Sequence, residues 1–263
     1  MTARRWWAAL GLGLLVSSAP GAAAQVLETE TARPLKAGTV TLGSAFEFQT
    51  SSDGIESALP AALEVGLTDR LGVLVEPVGM TSIRPKLGPH AHGVGDMEVT
   101  ASYLVRSETR GFPALALAAE AKIPTAKNTL IGTGRTDFAG YLILSRRMGR
   151  FDTHANLAYT VIGRPSGTAL KNIVSGSLAG ELQMVHGWEL FGEILANSSS
   201  TPSGQGEPPA GQGAVVPEAS AGELSGTLGA GLHPASNVLL SLSFSVDTNQ
   251  ALLVRPGLTW TFH

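Results

Sequence analysis

The sequence predicts an all-β protein: a transmembrane, up-and-down, antiparallel β-barrel of about twelve strands, within a range of about ten to fourteen. Apolar and polar residues alternate at period two through most of the chain after residue 37. Charged side chains fall on one of the two resulting faces, and short connections between strands alternate with long ones. Charged residues make up only 15% of the chain, against about 25% in an ordinary soluble domain, which fits a protein whose outer face meets lipid.

The first 24 residues have the order of a secretory signal peptide. Arg4 and Arg5 precede an apolar run from Trp6 to Val16, and Ser17–Ala24 consists mostly of small residues. The apolar run is shorter than the roughly 20 residues that a membrane-spanning helix needs. We therefore predict a signal peptide over residues 1–24, cleaved before Gln25, and export of the remainder.

The exported part divides into a lead-in and a barrel. Residues 25–37 are polar, contain Pro34 and show no clean period, so we predict a flexible N-terminal segment. The sequence leaves open whether this segment plugs the barrel. We predict the barrel over residues 38–263, with residues 198–221, rich in Ser, Pro, Gly and Gln, as a long surface loop.

The clearest strands lie between Gly93 and Gly163. In the first of them Met97, Val99 and Tyr103 share one face, and acids and hydroxyls occupy the other. Charge on a lipid-facing position costs about 2–4 kcal/mol at the membrane midplane for Arg or Lys, so its absence from one face indicates which face meets lipid. The polar face is then lumenal, and the candidates for lining it are Glu98, Glu120, Lys122, Asp137, His154 and Arg255.

The lumenal side chains have two interpretations. The strand pattern places about twelve acids on the inner face with few bases, which favours passage of cations over anions. Alternatively, these carboxylates pair with Lys122, Arg135 and Arg255 and simply fill the interior. A barrel of this predicted size falls between a filled one of about eight strands and an open porin of about sixteen, so we expect a narrow or gated path.

Connection length indicates the topology. Numbered along the chain, the odd connections are predicted to be long and the even ones short, and only the last odd one, residues 247–250, breaks the rule. An even strand number with short turns on one side and long loops on the other is typical of outer-membrane barrels. The last strand carries Trp260 and Phe262, as an aromatic girdle at the membrane interface requires.

Other chemistries find weaker support. His90 and His92 lack a third ligand nearby, so we predict no metal site and no cofactor. Ser145 and His154 share the inner face, but polar sets arise by chance in barrel interiors, and we predict no catalytic residue and no enzyme activity. The chain has no Cys and a net charge of −3, which exclude disulfides and argue against nucleic acid as a partner.

Several motifs carry a family resemblance. They are GVGD at Gly93–Asp96, Pro124-Thr125, GTGRTD at Gly132–Asp137, and Asn156 and Tyr159 followed by Gly163. Together they resemble the outer-membrane, transporter-like proteins of the meta-pathway of phenol degradation. The chain departs from the pattern at Ala126 and Ala158, and it ends in His263 instead of an aromatic residue. The resemblance implies an outer-membrane location and passage of small molecules, including hydrophobic or aromatic ones.

We therefore predict a monomeric outer-membrane barrel that acts as a passive channel or transporter for a small solute. Its partners would be outer-membrane lipids and the barrel-assembly machinery. Two alternatives stay open. One is a structural or adhesin-like outer-membrane barrel that acts through its surface loops, and the other is a soluble periplasmic ligand-binding barrel with the opposite sense of its two faces.

Overall fold

Alternating side chains along the chain form the strands of one closed sheet. The computed structural model describes residues 27–166, 169–200 and 222–263. The predicted signal peptide and most of the predicted loop 198–221 lie outside these residues. The strands are β1 Val40–Ala45, β2 Glu47–Thr50, β3 Gly54–Gly66, β4 Leu71–Pro85, β5 Ala91–Gly93, β6 Met97–Arg106, β7 Ala114–Ile123, β8 Asp137–Met148, β9 Phe151–Val161, β10 Ile173–Gln183, β11 Trp188–Asn197, β12 Glu223–Ala235, β13 Val238–Asp247 and β14 Leu252–Phe262.

These segments make a closed antiparallel barrel of twelve strands, which confirms the predicted fold. β1 and β2 form one barrel strand interrupted at Phe46, whose N–H donates to the Pro256 carbonyl of β14 at 3.0 Å. β5 and β6 form another, and Gly95 N–H bridges their gap by donating to Val78 at 2.9 Å. The barrel closes where β1 pairs with β14, in a register that runs from Val40 opposite Phe262 to Ala45 opposite Gly257.

The observed connections refine the predicted alternation. Among the described residues, 51–53, 86–90, 124–136, 162–166, 169–172, 198–200, 222 and 248–251 lie on one side of the barrel, and 67–70, 107–113, 149–150, 184–187 and 236–237 lie on the other. We call these the loop side and the turn side. The first two loop-side connections are shorter than expected, because β3 and β4 stay paired as far as Gly54 opposite Pro85. In the described residues the turn side holds a short 3₁₀ turn, Val185–Gly187, and no helix is long and apolar enough to cross a membrane.

Burial shows which face of the sheet points outward. The most exposed mid-strand side chains are apolar, among them Leu228, Ile194 and Leu178. The buried ones include Asp137, Asp152, Glu193 and many hydroxyls. The apolar face is therefore outside, the reverse of a soluble barrel with an apolar core.

Exposed aromatic residues form two bands around the outer face. The turn-side band extends the predicted pair Trp260 and Phe262, whose rings stack with centroids 5.1 Å apart. Two bands of this kind are typical of the two interfaces of a membrane. The turn-side residues are Tyr103, Phe112, Phe151, Trp188, Trp260 and Phe262, and the loop-side residues are Phe46, Phe48, Phe138, Tyr159 and Phe244.

The two faces of one strand allow a matched test. Leu178 and Ser177 are neighbours at the middle of β10, and Leu178 is 58% exposed on the outer face. We expect Leu178→Arg to lower the free energy of unfolding by about 2–4 kcal/mol, because the charge would sit in hydrocarbon. Ser177→Arg places the same charge in the polar interior and should cost much less. Urea unfolding in lipid vesicles measures both, and equal losses would contradict the assigned faces.

Candidate functional site

The interior wall of the barrel is polar. Buried hydroxyls, carboxylates and the His154 imidazole line it, and glycines and alanines occupy much of the rest. This composition is typical of a barrel interior in contact with water and polar solutes. The fully or nearly buried polar side chains of the strands include Thr41, Thr100, Asp137, Ser145, Asp152, His154, Glu193, Thr227, Ser243 and Thr259.

Residues 27–37 lie inside this interior. Leu27 packs against Ala179 and Phe191 near the middle of β10 and β11. From there the segment descends to the turn side, where Gly38 N–H donates to Gly66 O at 2.8 Å and the chain enters β1. A Cβ at Gly66 would lie 2.1 Å from the Lys36 carbonyl oxygen, so only glycine lets the segment pass this close to the wall.

The wall holds this segment mainly by its backbone. Thr29 N–H donates to Glu193 Oε2 at 2.6 Å, and Ala32 N–H donates to Ser145 Oγ at 2.8 Å. Asn156 lies between these two contacts. With its amide oriented to satisfy both groups, its oxygen accepts from Glu30 N–H at 2.6 Å and its nitrogen donates to Glu30 O at 3.0 Å. Three wall side chains thus replace the hydrogen bonds that an extended chain would otherwise make with water.

A charged clamp holds the segment at the turn side. Arg33 donates through Nη1 to Asp152 Oδ2 at 3.0 Å and through Nη2 to Glu108 Oε2 at 2.8 Å. Arg147 also donates to Asp152 Oδ2, at 2.6 Å. Burial alone would raise the pKa of Glu108, but hydrogen bonds from Arg33 and the Arg147 backbone and the nearby arginine charges lower it overall. This clamp was missed in the sequence because Arg33 precedes the periodic region and Glu108 lies in a turn.

The predicted lumen-lining residues occupy three separate places. Lys122 and Asp137 form an ion pair between β7 and β8, and Asp137 Oδ1 also accepts from Gly163 N–H at 2.7 Å. Glu120, on the same strand as Lys122, accepts from Tyr141 at 2.9 Å and Thr100 at 3.3 Å. Glu98 sits opposite Lys122 in the register of β6 and β7.

Arg255 lies elsewhere in the barrel. Its Nη2 contacts Glu28 Oε1 of the N-terminal segment and Glu47 Oε1 of β2, both at 2.8 Å. This cation therefore links the segment to the wall on the side opposite to Arg33. Two further acids of this wall, Glu64 and Glu76, lie on the neighbouring strands β3 and β4.

His154 is the remaining predicted residue, and its neighbours bear on catalysis. Ser145 Oγ is 2.8 Å from His154 Nδ1, so the structure brings together the pair considered from sequence. His154 Nε2, however, is 3.6 Å from Glu181 and 3.9 Å from Asp152, beyond hydrogen-bond distance. The Ser145 hydroxyl also accepts from Ala32 N–H. A triad needs an oriented base and an accessible nucleophile, and this geometry supplies neither.

Three of the family-like motifs meet at the loop side. Thr125 donates to Gly95 O at 2.7 Å, and Ala126 N–H donates to Asp96 Oδ1 at 3.0 Å. Loop 124–136 then places Ile131 against the inward-facing Ala91 of β5. GVGD, the Pro-Thr pair and GTGRTD therefore anchor a loop that folds onto the interior wall at the barrel mouth.

The predicted His90 and His92 lie beside this loop. His92 lines an open cleft together with Lys127 and Asn128, and a lysine neighbour disfavours a metal cation. Within the ranges that the structure describes, no group of three or more His, Cys, Asp or Glu side chains is arranged to hold a metal ion.

The Arg33 clamp predicts how stability depends on pH. The pKa of the Glu108 carboxyl lies below its ordinary value of 4.5. Ionised Glu108 therefore stabilises the folded state fully above pH 4.5, and this stabilisation is lost as the pH falls through the lowered pKa. On acidification from neutral pH to about pH 3, we expect the urea midpoint of the wild type to shift downward relative to that of Glu108→Gln, because only the wild type loses the contribution of ionised Glu108. Identical changes of the midpoint in the two proteins would contradict a clamp at this carboxylate.

The motif cluster generates a stability prediction. A Cβ at Gly163 would lie 2.3 Å from the Thr136 carbonyl oxygen, whereas a Cβ at Gly140 meets nothing within 4 Å. We expect Gly163→Ala to lower the free energy of unfolding by about 1–3 kcal/mol, since backbone must move. Gly140→Ala is the matched control and should be close to neutral. Equal effects in chemical unfolding would show that Gly163 is not a packing constraint.

Comparison with known proteins bears on the fold. The KdgM porin in complex with disordered oligogalacturonate is 9% identical, with a TM-score of 0.55 over 85% of this chain and 99% of that one. The NanC porin is also 9% identical, with a TM-score of 0.59 over 83% and 98%. No protein-family model and no curated protein sequence matches the chain. The resemblance to the phenol meta-pathway family therefore stays a prediction, and the chain shares its barrel fold with outer-membrane porins.

Proposed function

We propose that this chain is an outer-membrane channel through which small polar solutes pass by diffusion, with a preference for cations. The observation that carries the proposal is the polarity of the two faces: an apolar outer band between two aromatic bands, and an interior lined by carboxylates. The outer face suits lipid and the inner face suits water. The shared fold with the KdgM and NanC porins supports the same conclusion.

The charge preference follows from the interior side chains. Glu64 of β3, Glu76 of β4 and Glu120 of β7 lie on the inner face of one wall, in which β6 separates β4 from β7. Arg255 and Lys122 are already paired with Glu47 and Asp137. A constriction lined by carboxylates lowers the energy of a passing cation and raises that of an anion. Such a polar lining suits charged or hydroxylated solutes better than the aromatic ones that the family resemblance implies.

A second function is favoured by one observation. Residues 27–37 occupy the interior and loop 124–136 folds onto the wall at its mouth, as expected of a closed barrel that acts through its surface loops. The two functions differ in conductance. A closed adhesin-like barrel passes no ions, and a channel does.

Planar-bilayer recording tests the proposal. We expect purified protein to conduct, and its reversal potential in a KCl gradient to show K⁺ preferred over Cl⁻. Glu76→Gln combined with Glu120→Gln removes two lumenal charges and should move the reversal potential toward zero. Asp53→Asn removes an exposed loop-side acid and should leave it unchanged. Folded protein without conductance would overturn the channel and favour the closed barrel.

A further inference from the structure

We infer that the inner face of β8, β9 and β11 is a binding groove for an extended peptide, and that residues 27–33 are its tethered, releasable occupant. The groove consists of Ser145, Asn156 and Glu193, together with the Arg33 clamp of Asp152 and Glu108. The inference rests on the proposed channel, because release of the occupant is what opens the path.

The groove recognises main chain. Glu193, Asn156 and Ser145 accept from the N–H groups of Thr29, Glu30 and Ala32, and Asn156 also donates to the Glu30 carbonyl. Side chains that pair with the backbone N–H and C=O groups of several residues form a surface that suits an extended peptide. Such a surface should bind the same peptide whether the peptide is free or covalently joined to the barrel.

Two apolar pockets and the clamp provide sequence selectivity. Leu27 fills a pocket made by Ala179 and Phe191. Ala32 packs on Leu104, Ile143 and the small side chains of β7, namely Ala114, Ala116 and Ala118. Arg33 fits between two carboxylates, a geometry that its planar guanidinium matches better than Lys would. The preferred ligand is thus a short peptide with a small residue before an arginine.

The contacts that hold the segment are reversible. All of them are hydrogen bonds, ion pairs or small apolar contacts, and the chain has no Cys to cross-link it. Lys36, in contrast with Arg33, is exposed at the rim and provides a matched control within the same segment.

A binding experiment tests the groove without reference to conductance. The probe is a fluorescent peptide of residues 27–37, added to folded protein from which residues 27–34 are deleted. We expect saturable binding, weakened at least about tenfold by Arg33→Glu in the peptide and unchanged by Lys36→Glu. No saturable binding, or equal loss with both substitutions, would overturn the groove. Heat-modifiable gel migration checks that the deleted protein is folded.

A disulfide lock tests release in the full chain, in case the deletion prevents folding. Thr31 Oγ1 and Ser145 Oγ are 3.4 Å apart, so Thr31→Cys with Ser145→Cys introduces two thiols close enough to form a bridge. We expect the oxidised double variant to remain closed and the reduced one to conduct. Each single Cys variant controls for the loss of the native hydroxyl and should conduct without regard to oxidation.

The outcomes separate the two proposals. Equal conductance of the locked and reduced double variant would overturn the releasable plug while leaving the channel standing. Absence of conductance in every variant would overturn the channel. The peptide-binding experiment would then test the groove independently of conductance. Conductance restored by reduction and blocked again by added peptide would support both.

Discussion

The structure depends on the need to pair every backbone N–H and C=O that faces hydrocarbon. An open sheet in a membrane would leave two unpaired edges, so the sheet closes where β1 pairs with β14. Closure with antiparallel pairing throughout requires an even number of strands. It also brings both ends of the barrel domain to the turn side. It also forces alternation, because each strand then has one face toward lipid and one toward the interior. The apolar band and the polar lumen are consequences of the same constraint.

That constraint leaves a polar interior without a packed core, and the chain fills part of it with its own N-terminal segment. The wall binds this segment through Glu193, Asn156 and Ser145, which contact backbone, and through the two carboxylates around Arg33. His154 and Ser145 therefore form part of a binding surface, and their hydrogen bond positions Ser145 toward Ala32. Ser145 and His154, which resemble part of a catalytic set in the sequence, thus belong to the surface that contacts the N-terminal segment in the fold.

Most of the motifs behind the family resemblance share one structural role, while Asn156 instead binds Glu30 in the interior. Asp96 and Thr125 join loop 124–136 to the start of β6, and Asp137 joins β8 to Lys122 and Gly163. These contacts hold an inward-folded loop at the barrel mouth, where it narrows access from the loop side. The motifs thus describe how the mouth is built, and they carry no information about which solute passes.

The sequence by itself determined the all-β class, the strand number and the faces of the strands, because period-two alternation is a local property of residues such as Met97, Val99 and Leu178. It also predicted which acids line the lumen. Only the tertiary structure decided which of them pair, since Lys122 with Asp137 and Arg255 with Glu47 join different strands. The place of residues 27–37 could not be read from their sequence, because an aperiodic segment takes its conformation from the wall that binds it. The Arg33 clamp shows this most clearly, because Arg33, Glu108 and Asp152 are far apart in the chain and meet only in the folded barrel.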